Sequence, residues 1–222
     1  LEGVNQSQVR PDLHYDFPEG LRHILRQDPD IIMVGEIRDK ETANLTVHAA
    51  LTGHVVLSTL HTNDAAGVIP RLLDMGVDKY LIPATLSAAL SQRLVRRLCD
   101  NCKERIKPKK EMMELILEEL QNMPAKEAAS LAHLQTKGKD LTLFAAKGCK
   151  ECGASGYTGR IALFEVLQMT DELSDVVLKN PSEVEITKEA IRQGMVSLRQ
   201  DGILKAIDGI TTMEEVIRVT TE

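Results

Sequence analysis

The four cysteines of the chain form two pairs with the spacing of metal-binding turns. The pairs are Cys99-x-x-Cys102 and Cys149-x-x-Cys152, and 46 residues lie between them. Each C-x-x-C turn presents two thiolates to one ion, and two turns complete the tetrahedral ligand set of zinc. Because four thiolates leave no open position for a substrate, we predict that this zinc ion is structural.

Two alternatives for the cysteines stay open at this stage, namely two disulfides and four unrelated thiols. The chain shows no signal peptide near Leu1, and a reducing cytosol disfavours disulfides. A redox role would need a strand-to-helix context that neither pair shows. Glycines near the second pair favour tight metal-binding turns, and these are Gly148, Gly153, Gly156 and Gly159. The gap between the pairs exceeds the roughly 15 to 20 residues of common zinc modules, so we expect an inserted helical arm at 107–147.

A carboxylate and an imidazole follow two apolar runs that have the character of buried strands. Glu36 comes just after the run Ile31–Val34, and His61 comes just after a second run that begins at His54. Open parallel sheets bind their ligands at the carboxyl ends of their strands. An acidic group there orders magnesium or an attacking water, and a neutral histidine can sense a phosphate. An ordinary polar strand end is the alternative, and position alone indicates no role for His54.

Helices are predicted around these two strands. Phe17–Arg26 has Asp16 as its cap and Pro18 in its first turn, and a second helix runs from Asp39 to Gly53. A third helix is expected over Ala65–Met75. Because helices alternate with strands that read as buried on both faces, the sequence predicts an α/β fold with a parallel sheet.

The second half of the chain is predicted to be largely helical. Lys79–Leu98 is predicted as one long helix that changes from apolar to basic, and Glu111–Met123 as an amphipathic helix whose methionine-rich face favours packing over docking of a partner. Ile161–Leu167 is predicted as a strand. The remaining helices are expected at Lys126–Leu134, Asp171–Asn180, Ser182–Gln193, Ser197–Asp208 and Thr212–Thr220, the last with a capping box from Thr211 to Glu214.

Charge and composition exclude several classes of protein. Net charge is -6 and aromatic residues are 3% of the chain, so a zinc-ribbon nucleic-acid binder is poorly supported. The segment Arg93–Lys110 carries eight basic and two acidic side chains, which favours a solvated face over a binding patch for phosphate, acidic proteins or membranes. No apolar run reaches the length of a transmembrane segment.

Several segments in a fixed order resemble the secretion and pilus assembly ATPases. Asp28–Asp39 looks like the Walker B segment of that family, and Ala50–Asp64 looks like its histidine box. Gln92–Cys99 with the two C-x-x-C pairs is similar to its zinc-bearing members. Two further segments also match, Gly148–Glu165 and Gly194–Gly202.

This resemblance implies an α/β fold built on part of a RecA-like P-loop NTPase core, with a parallel sheet and flanking helices, a tetracysteine zinc module and C-terminal helices. Residues 1–98 would be the C-terminal part of the ATPase core. Residues 99–160 would be the zinc module with its helical insert. Residues 161–222 would supply a strand that returns to the core and a C-terminal helical bundle.

Roles for single residues follow from the same resemblance. Glu36 would be the Walker B carboxylate and His61 a contact for the γ-phosphate, so both are predicted as catalytic. Arg38 and His54 are predicted to bind the nucleotide. The zinc ligands would be Cys99, Cys102, Cys149 and Cys152.

The resemblance further implies a cytoplasmic ATPase, peripheral to the inner membrane, that uses ATP and Mg²⁺ as a homo-hexamer. Its partner would be the inner-membrane platform protein of a pilus or type II secretion machine, with no nucleic acid and no transmembrane segment involved.

One departure from the family pattern concerns the phosphate-binding loop. A nucleotide motor needs G-x-x-x-x-G-K-[ST], but none of the 14 glycines opens this motif, and Gly138-Lys139 is followed by Asp140. We therefore expect the chain to be the C-terminal portion of the motor, inactive alone, with the loop and the family's acidic box further upstream. The alternative is a zinc-stabilised, non-catalytic adaptor derived from such a motor.

Overall fold

The structure, a computed structural model, describes residues 3–124, 141–179 and 182–221. These residues divide into two compact units. The first contains Leu1–Ala88 and Met169–Ile186, and the second contains Ala89–Gln168 and Thr187–Glu222. The second unit combines the cysteine segment with stretches on both sides of it. The division of the chain into residues 1–98, 99–160 and 161–222 stays a prediction.

A parallel pair of strands forms the centre of the first unit. Strands β1 (Ile31–Val34) and β2 (Val55–Ser58) run side by side, with Ile31 opposite Val55 and Val34 opposite Ser58. Their connection is helix α2 (Lys40–Leu51), so the unit contains a complete strand–helix–strand crossover. The α/β fold with a parallel sheet predicted from the sequence is confirmed.

The prediction that these strands are buried on both faces was wrong. Ile32 and Val34 point into the core, but the side chains of Ile31 and Met33 are 65% and 70% exposed. Val55 and Leu57 are also exposed on β2. An unbroken apolar run indicates that both faces of a strand are suited to burial. In this chain only one face of β1 is covered.

Among the described residues, four further α-helices lie wholly within the first unit. Helix α1 (Phe17–Leu25) begins at Asp16, whose carboxylate accepts a hydrogen bond from the Glu19 amide, as the sequence predicted. Leu21 of α1 packs with Ile32, Val34 and Ala49. The other three are α3 (Val68–Asp74), α4 (Ile82–Thr85) and α6 (Asp171–Leu178).

Strands replace a predicted helix at the start of the second unit. Lys79–Leu98 is not one long helix, because the chain leaves α4 at Thr85 and continues as strand β3 (Ala88–Leu98). Burial along β3 alternates between neighbouring residues, which is the two-residue period of a strand with one covered face. Strand β6 (Tyr157–Gln168) lies beside β3 and contains the predicted strand at 161–167.

A hairpin of two short strands flanks the cysteines. Strand β4 (Lys103–Ile106) pairs antiparallel with β5 (Leu143–Ala146), and Lys103 lies opposite Ala146. Helix α5 (Lys110–Gln121) follows β4. The predicted helix at 126–134 lies outside the described residues.

The apolar face of α5 is packed against the second unit's own core. Ile116 and Leu120 are fully buried and Met123 is nearly so. Their neighbours come from β5, from helix α8 (Leu198–Ile207) and from helix α9 (Met213–Thr220). The interpretation of this methionine-rich face as a packing surface is confirmed.

The last helices begin close to where the sequence placed them. Helix α7 (Glu183–Arg192) precedes α8, which has a complete capping box formed by Ser197 and Gln200. The capping box predicted from Thr211 to Glu214 was wrong by one position, because the cap of α9 is Thr212 and its side chain accepts from the Glu215 amide. Among the described residues no helix is both long and apolar enough to cross a bilayer.

A buried carboxylate with two arginines joins α9 to β3. The Glu215 side chain is 2% exposed, and it accepts hydrogen bonds from Arg96 Nη2 at 2.7 Å and from Arg218 Nη2 at 2.8 Å. The guanidinium of Arg96 also lies 4.1 Å from the centre of the Tyr157 ring. Burial raises the pKa of Glu215, but the hydrogen bonds from Arg218 and Arg96 outweigh burial and hold the pKa at about 2.

We expect Glu215→Gln to lower the free energy of unfolding by about 3 kcal/mol at pH 7, because it leaves two arginines without their buried counter-ion. The folded pKa lies below the ordinary value of 4.5, so this contribution is complete above pH 4.5 and is lost as pH falls towards 2. Urea unfolding at pH 7 and at several lower pH values measures the difference.

Glu214→Gln is the matched control, because it removes the same charge from the adjacent, exposed position of the same helix. It should change stability little at any of these pH values. An equal loss in both variants, or a Glu215→Gln effect that does not shrink in acid, would contradict the assignment.

Candidate functional sites: a four-cysteine cluster and a carboxylate–histidine pair

The hairpin of β4 and β5 brings the two C-x-x-C turns together. Cys102 directly precedes β4, and Cys149 follows β5 by three residues. The ladder between the strands therefore places the turns next to each other despite the long stretch of chain between them. A backbone hydrogen bond from the Cys99 amide to the Gly156 carbonyl, 3.0 Å long, joins the first turn to the segment that follows the second turn.

The four sulfur atoms are spaced as ligands of one metal ion. All lie within 4.8 Å of one another, and three pairs are 3.7 to 3.9 Å apart. A zinc–sulfur bond of about 2.3 Å gives a regular tetrahedron of sulfurs with edges of about 3.8 Å. The cysteines are free thiols, and these distances far exceed the roughly 2.05 Å of a disulfide. The predicted grouping of the four cysteines is therefore confirmed, and they fit a metal ion.

Backbone amides stabilise one sulfur as a thiolate. The amides of Cys149 and Gly156 donate to Cys152 Sγ at 3.1 and 3.2 Å, and these bonds lower the pKa of Cys152 to about 6. Burial instead raises the pKa of Cys102 to about 12. A cation in the cluster would offset that cost, since a coordinating thiol loses its proton to the metal. These amide donors could not be predicted from the sequence, because their positions depend on how the second turn is folded.

Two glycines are required by the geometry of the second turn. Gly148 has φ = 94° and Gly156 has φ = 77°, values that side chains rarely adopt. A Cβ atom at Gly148 would lie 2.5 Å from the Ala154 carbonyl oxygen, and one at Gly156 would lie 2.5 Å from Ala146 Cβ. The tight turns that the sequence predicted here are confirmed.

The second site lies at the carboxyl ends of β1 and β2. Glu36 is two residues beyond the end of β1, and His61 is three residues beyond the end of β2. Because the strands are adjacent and parallel, both loops leave from the same edge of the sheet. His61 Nε2 lies 3.0 Å from Glu36 Oε2, so the structure brings this predicted pair together.

Both carboxylate oxygens of Glu36 have a partner. Arg38 Nη2 is 2.6 Å from Oε1, and the imidazole of His61 contacts Oε2. Hydrogen bonds from Arg38 first, and from His61 second, lower the pKa of Glu36, so its carboxylate is ionised at neutral pH. The glutamate is 22% exposed, while the side chains of Arg38 and His61 are 67% and 79% exposed, so the group is open to a ligand.

His54 is not part of this group. It directly precedes β2, at the opposite end of the strand from His61, and its Nδ1 lies 2.9 Å from the Ala49 carbonyl oxygen at the end of α2. Asp39, the acidic neighbour of Glu36 in sequence, is instead the cap of α2 and accepts hydrogen bonds from the Thr42 amide and hydroxyl. The role of His54 towards a nucleotide stays a prediction.

Comparison with known structures defines the fold class. The ATPase DotB of Legionella pneumophila matches with a TM-score of 0.61 at 24% identity, over 97% of this chain and 45% of DotB. The pilus retraction motor PilT with bound ADP matches with a TM-score of 0.59 at 21% identity, over 93% of this chain and 44% of PilT. The chain therefore has the fold of a part of each of these two proteins.

Comparison of sequences then identifies the family. The family described as type II/IV secretion system protein matches residues 1–218, and the chain belongs to that family. The type IV pilus assembly ATPase PilB of Thermus thermophilus is 46% identical over 222 residues, which are all of this chain and 23% of PilB. The type II secretion system protein E of Pseudomonas aeruginosa is 44% identical over all of this chain and 41% of its own length. The chain thus spans less than half the length of these curated relatives.

Proposed function

We propose that this chain is the C-terminal portion of a hexameric ATPase that drives type IV pilus assembly or type II protein secretion. The observation that carries the proposal is the Glu36–His61 pair, formed at the carboxyl ends of adjacent parallel strands in a chain that belongs to the type II/IV secretion family. Relatives that are 41 to 47% identical are named as pilus assembly ATPases and type II secretion proteins. The G-x-x-x-x-G-K-[ST] loop would come from residues outside this chain.

In this proposal the ionised carboxylate of Glu36 accepts a hydrogen bond from the water that attacks the terminal phosphate. Magnesium-bound ATP would supply the phosphoryl group and the cation that neutralises its charge. His61 stays hydrogen-bonded to Glu36 and turns its exposed ring towards the γ-phosphate. Arg38, which is exposed beyond its contact with Glu36, contacts a phosphate oxygen. His54 would meet a nucleotide only at a boundary with another subunit, since it lies at the other end of β2.

The cysteine cluster holds a structural zinc ion in the same proposal. Cys99, Cys102, Cys149 and Cys152 would hold the ion, which would connect the ends of the β4–β5 hairpin. Four thiolates leave it no position for substrate, so it stabilises the second unit and takes no part in hydrolysis.

The assembled motor would be cytoplasmic and peripheral to the inner membrane, where it pushes pilin subunits through a membrane platform protein. The relatives named as pilus assembly ATPases support this assignment, and those named as secretion proteins support the secretion alternative equally.

ATP hydrolysis by the full-length protein that contains this chain tests the proposal. We expect Mg²⁺-dependent release of phosphate and a hexamer by light scattering, with a turnover on the order of 1 per second or above. The chain alone should release no phosphate above background. A full-length protein that binds zinc but neither binds nor hydrolyses ATP would instead support the non-catalytic adaptor.

A further inference from the structure

Thr59 makes two hydrogen bonds that bracket Glu36. Its hydroxyl donates to the Gly35 carbonyl oxygen at 2.8 Å, and its carbonyl oxygen accepts from the Ile37 amide at 3.0 Å. Gly35 and Ile37 are the residues on either side of Glu36. Thr59 therefore fixes the backbone of the glutamate both before and after its Cα atom.

Thr59 also lies at the start of the loop that contains His61. Thr59 comes directly after the last residue of β2, and His61 follows it after a single residue. The backbone bond from Ile37 continues the pairing of β1 and β2 beyond the last paired residues, Val34 and Ser58. The Thr59 hydroxyl adds a side-chain hydrogen bond to the Gly35 carbonyl oxygen. Ile37 itself is buried, so the loop that holds Glu36 is anchored on its far side as well.

We propose that Thr59 is a positioning residue for the Glu36–His61 pair, whose 3.0 Å contact depends on the two bonds of Thr59 to the residues beside Glu36. The inference rests on the proposed function and names a residue that acts through the pair without touching substrate. Exposed hydrogen bonds of this kind contribute little to global stability, so the effect of the hydroxyl should appear at the site.

The coupling between the two side chains can be measured in the chain itself. We would record the ¹⁵N chemical shifts of the His61 ring at fixed pH and determine how far Glu36→Gln moves them in each background. In the wild-type background the shift should move, because the imidazole loses a carboxylate partner. In the Thr59→Val background we expect that movement to fall to about half or less, as a double-mutant cycle reports for coupled residues.

Two variants separate positioning from a general structural effect. Thr59→Ser keeps the hydroxyl and should retain the wild-type coupling. Thr85→Val removes an equivalent hydroxyl, which donates to the Leu81 carbonyl oxygen at 2.8 Å in α4, and should leave the coupling unchanged. In the full-length protein Thr59→Val should lower kcat about tenfold with KM for ATP within about twofold.

Several results would overturn the inference. One is full coupling between Glu36 and His61 in Thr59→Val, and another is loss of that coupling in Thr59→Ser. A third is that Glu36→Gln leaves the His61 chemical shifts unchanged in the wild-type background. The chemical-shift experiment does not depend on hydrolysis. A full-length protein without ATPase activity would therefore remove the proposed function, while reduced coupling in Thr59→Val would still establish the positioning role.

Discussion

Replacement of Cys102 by serine is expected to release the zinc ion and to lower the melting temperature by at least about 10 °C. The serine hydroxyl is a far weaker ligand than a thiolate, and the three remaining cysteines would form an incomplete site. The loss should be large because the cluster joins two turns that 46 residues of chain separate. Metal content by mass spectrometry should fall from about one zinc ion per chain to near zero.

Lys150→Ser is the matched control for this prediction. It introduces the same residue between the two cysteines of the second turn, at an exposed position that supplies no ligand. Zinc content and melting temperature should stay close to those of the wild type. Full retention of zinc in Cys102→Ser would contradict the four-thiolate site, and wild-type protein that contains no metal would leave the cluster without its proposed role.

The second large effect is expected from Glu36→Gln in the full-length protein. The amide keeps the size of the side chain but cannot accept a hydrogen bond at both of its terminal atoms or take up a proton. We therefore expect kcat to fall at least about 100-fold, while the dissociation constant for ATP changes by less than about threefold. Phosphate release and binding of a fluorescent ATP analogue measure the two quantities separately.

Glu41→Gln provides the comparison for a charge lost elsewhere in the same unit. Glu41 is exposed on α2 and pairs with Arg22, so its replacement removes a surface ion pair that does not include Glu36 or His61. Turnover should stay within about twofold of the wild type. If Glu36→Gln weakened nucleotide binding as strongly as it slows turnover, Glu36 would act in binding or folding and would not be the group that activates water.

The parts of the fold that sequence predicts well are those with local causes. Asp16 was identifiable as a helix cap because a cap bonds to amides two or three residues away. Asp39 was placed at the start of the second helix, and the structure shows that it is the cap. Glu36 and His61 were identifiable because a polar residue that follows an apolar run must lie at a strand end. Which ends meet depends on the order of the strands. The alternation of helix and strand predicted a parallel sheet, and the structure shows that β1 and β2 are neighbours in it.

The errors arose where burial decides the outcome. Residues 88–98 are rich in alanine, leucine and arginine, which favour helices, yet alternate positions over most of the segment face the core and the chain forms a strand. Ile31 and Met33 are apolar but exposed. From the sequence, Glu215 could not be distinguished from its exposed neighbour Glu214. Glu215 is buried and contacts Arg96, a residue 119 positions away in the chain.

Because of the β4–β5 hairpin, the geometry of the metal site does not depend on the length of the insert. The four paired positions of the hairpin, from Lys103 with Ala146 to Ile106 with Leu143, lie between the insert and the two cysteine turns. Residues gained or lost beyond that ladder and outside helix α5 would leave the sulfur positions unchanged, and closing a longer loop adds little entropic cost. The number of residues between the two C-x-x-C pairs can therefore change during evolution while α5 keeps its place in the core, and a motif search that fixes that number would miss proteins with the same site.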